Sequence, residues 1–202
     1  MKKRILLYFF LTLLSSNLLF SQSLLSETRT WDGDGPDNEW TTILNWSNNL
    51  EPEFDADVVI NINESVNFSP PGDITVESIR LGEKNSTTLS SNLTIAVGNT
   101  LTTTKGGAYG SSGMRLDGIS SNESVLTVNG TFNIEAYANG HGIDINKYCE
   151  VVVGSNGNLN VAASVGETPP GTAVNDGISI SDDLTNSGTI EITAPRAMQR
   201  WN

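Results

Sequence analysis

Leu126-Thr-Val128-Asn-Gly130-Thr-Phe132-Asn-Ile134-Glu-Ala136 decides the fold, because two later stretches repeat its layout. They are Val151-Val-Val153-Gly-Ser-Asn-Gly157-Asn-Leu159-Asn-Val161-Ala-Ala163 and Leu184-Thr-Asn-Ser-Gly188-Thr-Ile190-Glu-Ile192-Thr-Ala194. Each has an apolar run, a glycine turn, and an alternating run that closes on alanine. The turn glycines lie 27 and 31 residues apart. A weaker copy precedes them, Leu93-Thr-Ile95-Ala-Val97-Gly98, with Leu101 following.

A second motif alternates with the first. It reads Gly113-Met-Arg-Leu116, then Gly142-Ile-Asp-Ile145, then Gly177-Ile-Ser-Ile180, with glycines 29 and 35 residues apart. Two motifs recurring in the same order at a shared period mark a solenoid. The length varies in Ala138-Asn-Gly-His-Gly142 and Glu167-Thr-Pro-Pro-Gly171. Solenoid coils keep their strands and vary their loops in this way.

From Ile60 onward the apolar residues alternate in short runs, as in Ile74-Thr-Val76 and Ile79-Arg-Leu81, separated by Gly, Asn and Ser. Period-two alternation puts one face inward and one toward water. The expected class is all-β, a right-handed parallel β-helix of four or five coils. A β-sandwich also uses many short strands, but it has no reason to repeat two motifs in register. Stacked coils place equivalent residues in ladders. Met114, Ile143 and Ile178 are expected inside, and Asn129, Asn156 and Ser187 are expected as a polar ladder at the turns. Thr102-Thr-Thr104 is a local run of threonines, read as having no fixed repeat offset.

The segment before the repeats has another character: Trp31-Asp-Gly33, Trp40, Asn45-Trp46, Pro52, then Asp57-Val-Val-Ile60. It resembles the opening module of secreted β-solenoid surface proteins of Bacteroidota and autotransporter-like adhesins. The resemblance covers Thr28 to Leu101 in motif and the rest in repeat style. It implies a β-helix at the cell surface, with the Trp-rich stretch as the cap of the first coil. Capping is what a solenoid end requires. A sugar-binding aromatic platform is the alternative use of three tryptophans. The expected organisation is a leader over 1–22, a Trp-rich cap over 23–60 and solenoid repeats over 61–202. An uncovered last coil exposes strand edges. Residues beyond Ile192 are therefore expected either to lead into a longer protein or to form a cap through Met198 and Trp201.

Met1-Lys-Lys-Arg4 followed by an apolar run and then Ser21-Gln-Ser23 has the layout of a secretory leader. The apolar run is broken by Ser15, Ser16 and Asn17, so it falls short of the roughly 20 residues of a spanning helix. The chain has 11 basic and 23 acidic residues. Without the leader's three basic residues the balance is 8 − 23 = −15. Such a surface argues against nucleic acid, whose phosphates demand basic patches. Extracellular or outer-surface placement follows from the leader.

Candidate chemistry is sparse. Asp32, Asp34 and Asp37 are hard-oxygen ligands for a loose Ca²⁺ site, although Pro36 and Ile43 break the EF-hand pattern. Asp117, Asp144, Asp176, Asp182 and Asp183 are the candidate acids on the coils; Arg115 and Lys147 are the candidate bases, and nothing ties them to an acid. Cys149, the single cysteine, and His141, the single histidine, are no more than a generic pair; Cys149 reads as a small buried residue. The expectation is a non-catalytic structural or adhesive module with a surface glycan or protein ligand. The runner-up is a carbohydrate-active β-helix, a polysaccharide lyase or glycan binder.

Overall fold

The computed structural model describes residues 27–83, 88–104, 112–136, 141–163 and 177–193. The leader, Asp176, Met198 and Trp201 lie outside the described residues. Sixteen strands follow one another with no α-helix among the described residues. β1 (Thr28–Trp31) comes first. The turns are then β2 (Asp57–Ile60), β3 (Ser65–Phe68), β4 (Ile74–Val76); β5 (Ser78–Leu81), β6 (Asn92–Ile95), β7 (Thr100–Thr103); β8 (Met114–Leu116), β9 (Ser124–Val128), β10 (Thr131–Ala136); β11 (Ile143–Ile145), β12 (Cys149–Val153), β13 (Asn158–Ala163); and β14 (Ile178–Ile180), β15 (Asp183–Asn186), β16 (Thr189–Thr193).

Each turn adds one strand to each of three sheets. The first sheet runs β1-β2-β5-β8-β11-β14, the second β3-β6-β9-β12-β15, and the third β4-β7-β10-β13-β16. Neighbours pair in parallel. The molecule is a parallel β-solenoid of five turns, the upper end of the range expected from the repeats.

The inward residues form ladders. Val58, Ile79, Met114, Ile143 and Ile178 are in register on the first sheet, so the expected Met114–Ile143–Ile178 ladder is present and extends to turn one. Val66, Leu93, Leu126, Val151 and Leu184 line the second sheet. Ile74, Leu101, Phe132, Leu159 and Ile190 line the third. One turn cannot bury this face alone, but at about 4.8 Å between strands each rung covers the next. Burying a Val, Leu, Ile or Phe is worth roughly 1.5–3 kcal/mol, so these ladders, rather than the polar faces, hold the stack.

Both motif glycines stand at corners where the backbone of one turn meets the next. A Cβ on Gly157 would lie 2.0 Å from the Val128 carbonyl oxygen, and one on Gly142 would lie 2.5 Å from the Gly177 carbonyl oxygen of the next turn. In the first two turns Asp57 and Ser78 occupy the position of Gly113 and Gly142, and Ser78 Oγ donates to Asp57 Oδ1 at 2.5 Å. That substitution hid the second motif in the early turns. Gly157→Ala is expected to cost about 1–3 kcal/mol by overpacking. A lower urea midpoint at unchanged slope is the signature.

The polar ladder stands elsewhere than expected. The turns at Asn129, Asn156 and Ser187 are joined through main-chain bonds, including Asn129 N to Ile95 O (2.9 Å) and Ser187 N to Val153 O (2.8 Å). Turns of two and four residues alternate there, so the three side chains do not occupy equivalent places. The amide ladder lies on the outer face of the third sheet: Asn160 Nδ2 donates to Asn133 Oδ1 (2.9 Å), and Asn133 Nδ2 faces Thr102 Oγ1 at 3.4 Å. The Thr102–Thr104 run does not recur along the coils, since Thr102 shares its column with Thr75 and then with Asn133, Asn160 and Glu191; Thr100, Thr131 and Thr189 share a separate column with Asn158. Thr103, by contrast, points inward and is buried.

Candidate functional site

Three places carry the chemistry anticipated from sequence: the Trp segment, the outer face of the first sheet, and the corner around Cys149. The Trp segment is a cap. Trp31, Trp40 and Trp46 are each 0 % exposed. Trp46 meets Trp31 edge-on at a 5.0 Å centroid distance and Trp40 at 4.8 Å, and Trp40 meets Phe68 at 5.1 Å. Edge-to-face rings at these distances gain about 0.5–1.5 kcal/mol per pair beyond burial. Trp31 Nε1 donates to Glu64 Oε2 (3.0 Å) and Trp46 Nε1 to the Trp40 carbonyl (2.7 Å). Fully buried rings offer no platform to a sugar, so the cap role holds and the platform does not.

Asn45, also buried, stitches the cap loop. Its Nδ2 donates to the Asp37 carbonyl (2.8 Å) and the Glu39 carbonyl (3.2 Å), and its Oδ1 accepts from Gly35 N (2.8 Å). Of the calcium candidates, Asp37 is committed to this loop: its Oδ1 accepts from Thr42 Oγ1 (2.7 Å) and Glu39 N (3.1 Å). Thr42, then Glu39, hold its carboxyl below the usual range. Asp32 Oδ1 faces Asp34 N at 3.5 Å. Among the described residues no three Asp, Glu, His or Cys side chains gather as a metal-holding group.

The outer face of the first sheet carries the densest polar cluster. Arg80, Arg115 and Asp144 are successive rungs of one outward column. Two stacked guanidinium groups repel unless an anion lies between them, and Asp117 supplies it. Arg115 Nε donates to Asp117 Oδ2 at 2.8 Å and its Nη2 to Oδ1 at 3.2 Å; Arg80 Nε stands 3.5 Å from Oδ2. Asn146 Nδ2 bridges Asp117 Oδ1 (3.0 Å) and Asp144 Oδ2 (3.4 Å). The Asp117 side chain is 6 % exposed, and the two arginines 13 % and 15 %. Burial opposes the Arg115 charge, but the hydrogen bond and charge of Asp117, with Asp144 behind it, outweigh it and raise its pKa. The expectation that nothing ties Arg115 to an acid is therefore corrected. Residues i and i+2 of a strand share a face, so Arg115-Leu-Asp117 was the readable signal. Lys147 lies at the exposed corner after β11.

Asp182 and Asp183 part to opposite sides, as alternation requires: Asp182 Oδ2 accepts from Cys149 N (3.0 Å), while Asp183 is exposed on the outer second sheet. Cys149 is buried beside Ser124 in the inward column. Burial, with the charges of Asp117 and Asp182, pushes its thiol from 9.0 up to about 12. The thiolate is the reactive form, so the native thiol is expected to resist a thiol reagent at pH 8 and to react on unfolding. The folded state keeps its proton longer than the unfolded state. The resulting contribution to stability is complete below about pH 9 and is lost as pH rises toward 12. A urea titration at two alkaline pH values, with Cys149→Ala as the control, isolates it.

Comparison with protein-family models, with characterised proteins and with solved structures yields no match to this chain.

Proposed function

We propose that this chain is a non-catalytic solenoid module, exported to the cell surface or beyond, whose polar faces serve structure or adhesion. The observation that carries this reading is the closed state of its densest polar cluster. Both Asp117 oxygens are occupied by arginine and asparagine donors, and the carboxylate is nearly buried. A general base must reach a substrate proton, and Asp117 faces its own neighbours instead. The leader-like start, the acidic balance and the resemblance to secreted solenoid proteins support export and the surface setting. A surface glycan or protein is the matching ligand class. Limited proteolysis of the purified chain tests the scaffold reading. A fragment covering Leu89 to Thr193 that resists protease under native conditions is expected, and rapid cleavage throughout the coils contradicts it.

A carbohydrate-active β-helix is the second reading, favoured by one observation: Asp117, Asp144, Arg80 and Arg115 do converge on one outer face. Incubation with acidic and neutral glycans, with and without Ca²⁺, separates the two readings. New reducing ends or unsaturated sugars that vanish in Asp144→Asn favour the enzyme; unchanged glycans favour the scaffold.

A further inference from the structure

The tryptophans fill the inner side of the cap, and its outer side exposes large apolar residues. Ile43, Leu44, Leu50 and Phe54 are 51 %, 47 %, 51 % and 68 % exposed. They are four of the eight large apolar side chains exposed among the described residues, and all four fall within residues 43–54. Exposed apolar residues scattered singly need no explanation, whereas a cluster rimmed by polar groups marks an interaction surface. The stretch that carries them is held by its own main chain. Trp46 N donates to the Ile43 carbonyl (3.2 Å), Asn49 N to the Trp46 carbonyl (2.8 Å) and Ala56 N to the Glu53 carbonyl (3.0 Å). Glu77, between β4 and β5, donates its N–H to the Ala56 carbonyl (2.9 Å) and so fixes the end of the stretch to turn one.

The rim is acidic throughout. Residues 30–79 contain eleven acids and no Lys or Arg. The arginines on either side are engaged, Arg29 with Glu27 and Arg80 with Asp117. Glu51, Glu53 and Asp55 alternate with Leu50, Pro52 and Phe54. Glu51 is half-buried, and burial raises its carboxyl above the usual range with no hydrogen bond or charge from a described residue to offset it. A carboxylate partly withdrawn from water is costly unless a cation or donor meets it.

We propose that this face of the cap docks a basic segment of another protein, its large apolar side chains set on Ile43, Leu44, Leu50 and Phe54 and its Lys or Arg side chains on Glu51, Glu53 and Asp55. Lysine and arginine suit the alternation, because their stems pack on apolar surface while their charged heads reach outward. Complementary charge steers such a partner in and suppresses wrong ones. A second copy fits poorly. Its described basic residues are Arg29, Arg80 and Arg115, committed to acids of their own chain, and Lys147. An anionic membrane surface is repelled. The proposal takes from the scaffold reading only that the ligand is a protein. It concerns the cap, so peptide binding here and protease resistance of the coils stand or fall separately.

Fluorescence anisotropy of a labelled synthetic peptide of alternating Leu and Lys, titrated with the full chain at about 0.15 M salt, tests the proposal. The expected result is saturable binding, absent with a Leu/Glu peptide of the same length and about tenfold weaker with an all-Lys peptide. Leu50→Ser with Phe54→Ser should weaken binding about tenfold, as should Glu51→Gln with Glu53→Gln, without altering the β circular dichroism. Asp183→Asn with Glu191→Gln makes the same change of charge in turn five and should weaken binding less than about twofold. Absence of saturable binding overturns the proposal. So does an equal loss in the turn-five pair, which assigns binding to net charge alone, or binding that survives Leu50→Ser with Phe54→Ser. Protection of residues 43–55 from amide exchange that appears only when the chain sediments as a dimer assigns the face to a second copy and overturns it as well.

Discussion

Trp46→Ala is expected to cost about 3–5 kcal/mol, the range for deleting a buried aromatic ring, and to do so from one end of the molecule. Trp46 holds Trp31 on one side and Trp40 on the other, and Trp40 in turn covers Phe68. Removing the central ring leaves both partners facing a cavity. It also deletes the indole N–H that satisfies the Trp40 carbonyl. Turn one then loses its cover at Ile60 and Phe68. Stability in a solenoid is close to a sum of neighbour terms, so the loss should propagate from turn one instead of spreading evenly. Amide exchange should accelerate first in β2 and β3 and last in β12 and β13. Uniform acceleration, or a change below 1 kcal/mol in urea unfolding, contradicts the cap role.

Asp117→Ala is expected to be as damaging, at about 3–5 kcal/mol, although no apolar contact is lost. The substitution removes the carboxylate shared by Arg80 and Arg115, whose side chains are 13 % and 15 % exposed, and leaves the two stacked guanidinium groups to repel more strongly. Most of that cost belongs to the repulsion between the two stacked guanidinium groups, so removing both charges should restore stability. Asp117→Leu combined with Arg80→Met and Arg115→Met should recover most of the loss, because well-packed apolar residues often match a buried ion cluster. Chemical denaturation of the single and triple variants decides the matter. A single variant as stable as the parent removes the structural role of the cluster and strengthens the carbohydrate-active reading. A triple variant no better than the single assigns the cost to packing.

The repeat was legible because its strongest signals are steric. Gly130, Gly157 and Gly188 recur where a Cβ would strike the backbone of the neighbouring turn, and Gly113 and Gly142 where it would strike a core side chain of their own turn, and close approach at a corner admits little else. The inward ladders were legible through alternation. The early turns were less so, because Asp57 and Ser78 replace glycine at the corner and answer each other with a hydrogen bond. The turn ladder at Asn129, Asn156 and Ser187 misled because spacing from a glycine does not report turn length. The polar cluster on the first sheet was the hardest to see. Arg115 reaches Asp117 from two residues away, but Arg80 and Asn146 come from the turns on either side, and only register brings them to Asp117. Counting offsets from the glycines separated the acids, whereas pairing the strands brings Asp117 and Asp144 together.

The central claim is the register of the five turns, and electron-spin distances along one outward column test it most directly. Thr75, Thr102, Asn133, Asn160 and Glu191 occupy successive rungs of the third sheet. Spin labels are placed on cysteines at these sites in a Cys149→Ser background. With strands about 4.8 Å apart, the 102/160 pair should lie near 10 Å in backbone separation, 75/160 near 14 Å and 75/191 near 19 Å. Distances that rise by one strand spacing per rung are the predicted result. A 75/191 distance equal to or shorter than 102/160, as strands folded back in a sandwich would give, contradicts the solenoid.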